Sequence, residues 1–450
     1  MRWADLEGRR VAVWGFGREG RAALDALARH LPGQLVDVYC SSDEAAAARA
    51  SFPWAHVHDV APDADALASY DIVIKSPGIS AYKPELLDAQ SRGTRFTSGT
   101  ALWFAAHVTA KTIAVTGTKG KSTTSALIAH LARSLGVRTA LAGNIGLPML
   151  ELDGESADLW VIELSSFQTG EAFGVGLGVV TSLYEEHLDW HGSRERYVSD
   201  KLKLLASSAQ VLVNAMQPAL MARAAGHPGL HTFGDEAHWH VADGWIRRGS
   251  ENVIAASAVS APGLHNAINA CAALAALEIA GLDARGAAPA LSTFVPLPHR
   301  LQPLGEIHGL RWINDSISTT PLASLAALES VRAERVALLV GGHDRGLDWT
   351  PFVEAMRLHA PEAIVCQGAS GSRIADALEA AGVANVYRAA DLAAAVGAAR
   401  NALSGEGVVV LSPGAPSFDQ FRDYAERGKR FAELAGFEAG AASIQGLGVS

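Results

Sequence analysis

The stretch Thr112-Ile113-Ala114-Val115-Thr116-Gly117-Thr118-Lys119-Gly120-Lys121-Ser122-Thr123-Thr124 runs from a β-branched apolar segment through two glycines into the helix-like SALIAHLARSLG. Gly-Lys-Ser between a strand and a helix is the physical core of a phosphate-binding loop. Backbone amides cradle the anion, the lysine neutralises the outer phosphates, and a hydroxyl ligates Mg²⁺. Only Thr118 and Lys119 separate Gly117 from Gly120, and Val115 stands where the usual first glycine would fall, so the loop is a shortened variant.

Outward from this loop, short apolar runs alternate with Ala-rich segments: VAVW from 11, LVDVY from 35, DIVIKS from 71, LWVIELSS from 159, GVVTSL from 178, QVLVNA from 210, RVALLVGG from 335, AIVCQGA from 363 and GVVVLSPG from 407. Continuously apolar strands separated by helices indicate parallel sheets covered on both faces, so the expected class is α/β, doubly wound several times over. At roughly 150 residues per domain, 450 residues predict about three domains. One join is expected at 107–111, where SGTALWFAAH gives way to a new strand, and another at 293–300, where two prolines in TFVPLPHR break regular structure. The resulting division is 1–108, a Rossmann-like domain; 109–295, a central domain with a mostly parallel sheet; and 296–450, a second Rossmann-like domain. Between 229 and 262 short runs with glycine turns predict inserted antiparallel strands.

Composition narrows the partners. Hydrophobic residues make up 49% and charged residues 19% of the chain, with 37 Lys+Arg against 47 Asp+Glu for a net charge of −10. Such a surface repels nucleic acid and anionic membranes, so an anionic ligand has to be held by local devices. Mean hydropathy is +0.14. The longest apolar stretch, Ile268 to Leu282, is Ala-rich and carries Asn269 and Glu278, which reads as a buried helix and not a membrane span. Three cysteines (Cys40, Cys271, Cys366) with no C-x-x-C spacing suggest a reducing compartment, and no signal-peptide core can be drawn at the N-terminus. A cytoplasmic protein is expected.

A second glycine loop, Gly15-Phe16-Gly17-Arg18-Glu19-Gly20, follows the first strand, and Asp37 comes near the spacing of a ribose-binding acid at the end of the next strand. The pattern fits NAD, but equally any diphosphate held at a helix N-terminus. Glu163 ends the strand LWVIE, the place of a Mg²⁺-ligating acid or of a solvent-facing strand-end carboxylate. In Tyr184-Glu185-Glu186-His187-Leu188-Asp189-Trp190-His191 the two histidines are four apart, yet the H-E-x-x-H order and any thiolate are missing. His187 is therefore expected on Mg²⁺ or substrate, and His191 fits a surface loop. Taken alone, Tyr197-Val198-Ser199-Asp200-Lys201-Leu202-Lys203 reads as a solvated amphipathic helix.

Together, TGTKGKSTT, GNIG at 143–146, ELSSFQ at 163–168, EEHLDWH, YVSDK at 197–201, HNAINA at 265–270, PHR at 298–300 and NDS at 314–316 resemble the Mur ligase family. SPGI at 76–79 and SPGAPSFDQFRDYAERG near the C-terminus are similar to its glutamate-adding members. The resemblance covers essentially the whole chain and implies an ATP-dependent amide ligase of peptidoglycan precursor synthesis. Its first domain would bind the UDP-sugar, its second ATP, and its third would close on both. The implied ATP contacts are Gly117, Thr118, Lys119, Gly120, Lys121, Ser122, Thr123, Asn266, Asn269, Arg300 and Asp315, and the implied UDP-sugar contacts are Gly15, Gly17, Arg18, Ser76, Pro77, Gly78, Asn144, Ser165 and Gln168. Lys121, Glu163, His187 and Lys201 would be catalytic. Ser122, Glu163, His187 and Lys201 would serve two Mg²⁺ ions, with Lys201 converted by CO₂ to a carbamate. NAD then drops out, and the chain is expected to act as a monomer on UDP-N-acetylmuramoyl-L-alanine, glutamate and ATP.

The resemblance also implies glutamate contacts at Thr319, Arg345, Ser417, Phe418 and Tyr424, and here the chain departs from the pattern. Members that add D-glutamate resemble one another in D-S-K-A-T-N and G-G-D-x-K-G, where this chain has Asp315-Ser316-Ile317-Ser318-Thr319-Thr320 and Gly341-Gly342-His343-Asp344-Arg345-Gly346. Ile317 cannot hold a carboxylate, and losing one charge-assisted contact costs about 1.5–3 kcal/mol unless the ligand sits differently. Arg345 replaces a point charge with a planar fork, and Tyr424 adds a hydroxyl where an apolar aromatic is usual. The expectation is a pocket rebuilt for L-glutamate, whose product a separate epimerase inverts. The same reaction with D-glutamate, a dinucleotide-dependent oxidoreductase and an ATP-switched scaffold are the alternatives.

Overall fold

The structure is a computed structural model describing residues 1–183, 193–260, 263–331, 334–438, 444 and 446–450. It contains two compact units. One comprises Met1–Ala258, Ala267–Ser292 and Gly446–Ser450; the other comprises Val259–Asn266 and Thr293–Gln445.

The first unit holds three sheets. β1 (Val11–Trp14), β2 (Val36–Tyr39), β3 (His56–His58), β4 (Ile72–Lys75) and β5 (Arg95–Thr97) form an all-parallel sheet in the order β3-β2-β1-β4-β5. β6 (Thr112–Thr116), β7 (Thr139–Gly143), β8 (Leu159–Glu163), β9 (Val175–Val180), β10 (Ser208–Asn214) and β11 (Leu230–Phe233) form a second parallel sheet, ordered β11-β10-β9-β6-β8-β7. β12 (Trp239–Ala242), β13 (Trp245–Arg248) and β14 (Glu251–Ala255) make an antiparallel insertion within the predicted 229–262, whereas β11 at its start pairs parallel with β10. Every residue of β6, β7 and β8 is buried, as strands covered by helices on both faces require.

The change of sheet near residue 108 is not a gap in packing. Ser98 caps the helix Gly99–Ala106 by accepting from Ala101 N, and that helix buries Leu102, Trp103 and Phe104. The Trp103 ring lies 4.8 Å from that of Trp160 on β8, and one apolar cluster takes in Val11, Ile74, Trp103, Ala114 and Ile162. Burial of indoles at this join ties the two sheets into one unit. The last residues also belong here: β21 (Gly448–Val449) pairs antiparallel with β7, and Arg133 donates to the carbonyls of Gly446 and Gly448.

In the second unit β15 (Gln302–Ile307), β16 (Leu310–Asn314), β17 (Val336–Val340), β18 (Ala363–Gln367), β19 (Val386–Ala389) and β20 (Gly407–Leu411) form one sheet, ordered β15-β16-β20-β17-β18-β19. Only the β15–β16 pair is antiparallel within it. The carboxyl ends of β16, β20 and β17 are therefore adjacent, where open parallel sheets gather ligands. No helix among the described residues is long and apolar enough to cross a membrane. The three cysteines are free and buried.

Candidate active site

The loop after β6 is braced on several sides. Gly120 caps the helix Lys121–Ser134 with φ of +83°, and a Cβ on it would lie 2.5 Å from Asn269 Oδ1. The position therefore demands glycine both for its left-handed backbone and for the close approach of an amide side chain. Thr118 N donates to Ser182 O, Lys119 N donates to Ser182 Oγ, and Lys119 O accepts from the hydroxyls of Thr181 and Ser182. Thr118 Oγ1 lies 2.7 Å from Tyr197 Oη. Lys121 Nζ donates to Thr118 O at 3.3 Å, Ser122 is buried in the first turn, and Thr123 is half-buried. The N-terminal dipole of a 14-residue helix thus meets two lysines, the chemistry of a polyphosphate site.

Glu163 closes β8 opposite Val115, directly beside this loop. It is 1% exposed; Oε1 accepts from Asn144 Nδ2 at 2.6 Å, while Oε2 has no hydrogen-bond partner among the described residues. A buried carboxylate oxygen left without a donor fits a hard cation, which wants oxygen ligands and a carboxylate above all. Lys201, on the helix Arg194–Ser207, is 2% exposed, donates to Gly117 O at 3.1 Å, and lies over the Tyr197 ring at 5.0 Å. The solvated helix that its local sequence suggests is thus replaced by a lysine buried against the phosphate loop. His187 and His191 lie outside the described residues.

The two N-terminal motifs meet. A Cβ on Gly15, whose φ is +100°, would lie 2.6 Å from Ser76 Oγ, so GFGREG and the Ser76-Pro77-Gly78 turn are in contact. Gly17 caps the helix Arg18–His30, and Arg18 donates to Gly146 O at 2.9 Å, joining the first sheet's loop to GNIG. Ser165 donates from both N and Oγ to Gln168 Oε1, and Gln168 Nε2 donates to Thr100. Arg18 thus ties the glycine loop to GNIG, and Gln168 ties Ser165 to the helix Gly99–Ala106. Asn144 Nδ2 donates to Glu163 Oε1.

Asp37 does not end its strand as expected. It is the second residue of β2, and its carboxylate faces His56 and His58. Burial pushes that carboxyl up, but the hydrogen bonds from His58 and His56 outweigh it and hold it below the usual range.

Next to the glycine loop, Glu19 is pushed up to about 7 by burial and by the nearby Glu171 and Glu151 carboxylates. Its pKa in the folded chain exceeds that of the unfolded chain, so its stabilising contribution is full below about 4.5 and is lost as pH rises through about 7. Glu19→Gln is expected to raise stability at pH 8 by about 1–2 kcal/mol, less than the full shift implies because the carboxyl is partly wet. The gain should shrink toward pH 5, as read by thermal unfolding at the two pH values.

The second unit gathers its motifs after β16, β17 and β20. Asp315 is pushed up to about 6 by burial, even though it accepts from Ser318, Ser412 and Leu301 N. The bond from Leu301 N anchors the Pro298-His299-Arg300 turn, in which His299 has φ of +62°. Asn314 Nδ2 donates to Gly428 O and lies 3.0 Å from His299 Nδ1. Arg427, 1% exposed, donates to Ser316 Oγ and to the carbonyls of Ser316, Ala415 and Pro416, lashing the loop after β16 to the loop after β20. Burial lowers its pKa to about 10. Gly341 N donates to Pro413 O and His343 N donates to Pro416 O, bringing the loop after β17 to the same place. Ser417 is buried, Thr319 is half-buried, and Arg345, Phe418 and Tyr424 are exposed. Arg427, Thr181 and Ser182 escape the sequence reading: the first is a charge on an amphipathic helix and the other two are small polar residues after a strand.

Comparison with known proteins accords with this geometry. Residues 115–277 match the family model described as Mur ligase middle domain, and residues 299–415 match that described as Mur ligase, glutamate ligase domain. The chain is 50% identical over 467 aligned positions, covering all of both chains, to the UDP-N-acetylmuramoyl-L-alanine--L-glutamate ligase of Xanthomonas euvesicatoria pv. vesicatoria. It is 39% identical to the protein of that name from a Micromonospora species, covering 98% of this chain and 99% of the relative. Among solved structures, UDP-N-acetylmuramate-alanine ligase MurC from Thermotoga maritima shares the fold, with a TM-score of 0.60 at 21% identity over 95% of this chain and 99% of that one. With a phosphate loop, a buried acid beside it, two matching family models and full-length relatives of this kind, the chain belongs to the Mur ligase family of ATP-dependent amide ligases.

Proposed function

We propose that the chain joins L-glutamate to UDP-N-acetylmuramoyl-L-alanine at the expense of ATP, in the cytoplasm and as a monomer. In this reading 1–108 takes the UDP-sugar, 109–295 takes ATP, and 296–450 takes glutamate and helps position the nucleotide. The observation that carries it is the 50% identity over the full length to a relative named for that reaction. Ile317, where a lysine is usual in D-glutamate-adding members, supports the choice of enantiomer. A separate epimerase then has to supply the D configuration downstream.

The alanyl carboxylate of the sugar nucleotide attacks the γ-phosphorus, forming an acyl phosphate and expelling ADP; the amine of glutamate attacks the activated carbonyl, losing a proton, and phosphate leaves. No protein nucleophile is needed. Lys121 and the amides of the helix Lys121–Ser134 offset the charge on the transferring phosphoryl group. Gly120 lets the backbone approach the anion closely. Ser122 and Glu163 would hold one Mg²⁺, and Lys201 and His187 would serve a second; such ions would supply further charge neutralisation. Arg18, the Ser76-Pro77-Gly78 turn, Ser165 and Gln168 hold the sugar nucleotide, and Asn144 orients Glu163. Asn266, Asn269, Arg300 and Asp315 fix the nucleotide and the turn beside it. Thr319, Arg345, Ser417, Phe418 and Tyr424 receive the glutamate.

Lys201 is buried against the phosphate loop, and addition of CO₂ to its amine would turn the side chain into a carbamate. The resulting carbamate is a carboxylate suited to Mg²⁺. Turnover is expected to fall at least tenfold in CO₂-depleted buffer and to return on adding bicarbonate, while Lys201→Ala is inactive in both. ¹³C-bicarbonate should give a carbamate NMR signal in the parent protein that the variant lacks. The overall assignment is tested by requiring ATP, the sugar nucleotide and glutamate together for phosphate release, with one phosphate formed per product. Phosphate release without a ligated product contradicts it.

A further inference from the structure

The geometry points to a divalent transition-metal site on the edge of the first sheet, with Asp37, His56 and His58 as its protein ligands and water completing the shell. β3 is the edge strand, and its parallel register sets His56 beside Asp37 and His58 beside Tyr39. Residues two apart on a strand share a face, so both imidazoles project on the side where Asp37 stands between them. His56 Nδ1 lies 2.9 Å and His58 Nε2 2.5 Å from the same Asp37 Oδ1, and the three donor atoms all fall within 4.8 Å of one another. Ligands bound at about 2.0–2.1 Å in tetrahedral array stand roughly 3.3 Å apart, so small rotations of these side chains suffice to admit an ion.

The surroundings are those of a ligand set already oriented. The Tyr70 hydroxyl lies 3.1 Å from that of Tyr39. The Tyr39 ring stacks on His58 at 4.5 Å with an interplanar angle of 10°. Partners of this kind fix the orientation of metal ligands. The His56 side chain is 75% exposed, which gives an ion a way in. Two imidazoles and one carboxylate suit Zn²⁺, Co²⁺, Ni²⁺ or Cu²⁺ and not Mg²⁺, so the site is chemically distinct from the oxygen-rich surroundings of Glu163. An ion here clamps β3 to β2 just below the glycine loop, because Gly15 N donates to Tyr39 O and Cys40 N donates to His58 O.

The test uses the full chain titrated with Co²⁺ in excess Mg²⁺, so that oxygen-ligand sites are filled, and reads the visible d–d bands. One Co²⁺ per chain with bands displaced by Zn²⁺ is expected. His56→Ala should weaken binding at least tenfold and His56→Ala/His58→Ala should abolish the bands. His56→Ala removes a mostly exposed ring, so its metal-free melting temperature should match that of the parent, while the rise in melting temperature that Zn²⁺ gives the parent should disappear. Absence of Co²⁺ binding in excess Mg²⁺, or binding undiminished in the double variant, overturns the proposal.

Discussion

Glu163→Gln is expected to lower turnover by about a thousandfold, or ~4 kcal/mol in the barrier, while leaving the melting temperature within a few degrees of the parent. The amide keeps an oxygen to accept from Asn144 Nδ2, so the local scaffold of β8 survives. What changes is the charge on a buried group whose second oxygen has no donor among the described residues. If Glu163 were only a structural carboxyl, its amide would turn over normally. Steady-state phosphate release, paired with thermal unfolding, separates the two. A Mg²⁺ dependence shifted to higher concentration in the variant would locate the defect at the ion.

Arg427→Met should destabilise the second unit by about 3–5 kcal/mol. Arg427 makes four hydrogen bonds, to Ser316 Oγ and to the carbonyls of Ser316, Ala415 and Pro416. Methionine fills similar space but takes the arginine donor from the buried carbonyls of Ser316 and Ala415 and leaves Pro416 O with His343 N alone. At about 2–4 °C per kcal/mol for a domain of this size, the unfolding transition should drop by roughly 10 °C. Because the lost bonds join the loops after β16 and β20, the KM for glutamate should rise in whatever fraction remains folded, with the KM for ATP less affected. Urea unfolding followed by initial-rate kinetics below the transition checks both parts.

How far the sequence carried these conclusions depended on the length and polarity of each segment. All ten apolar runs read as strands are strands, from VAVW at β1 to GVVVL at β20, because burial on both faces imposes an unbroken apolar string. β3, with sequence His-Val-His, and β5, with Arg-Phe-Thr, went unread: three residues with two polar members carry no such signature. β21 is two residues and owes its place to Arg133, 313 positions before the Gly446 carbonyl it meets, a relation no local pattern contains. The phosphate loop was legible because backbone geometry forces glycine at Gly120. Lys201 was legible only through family resemblance, since its own helix reads as solvated while the fold buries it. Asp37 was placed at a strand end by counting residues, whereas pairing put it in the strand beside two histidines.

The central claim is that this chain ligates L-glutamate to UDP-N-acetylmuramoyl-L-alanine. Incubation with ATP, Mg²⁺, bicarbonate and that sugar nucleotide, in parallel with each enantiomer of glutamate, measures it through phosphate release and product mass. A product heavier by one glutamyl residue is expected with the L enantiomer, and at least tenfold less with the D. Turnover with D-glutamate alone, or with neither, would contradict it.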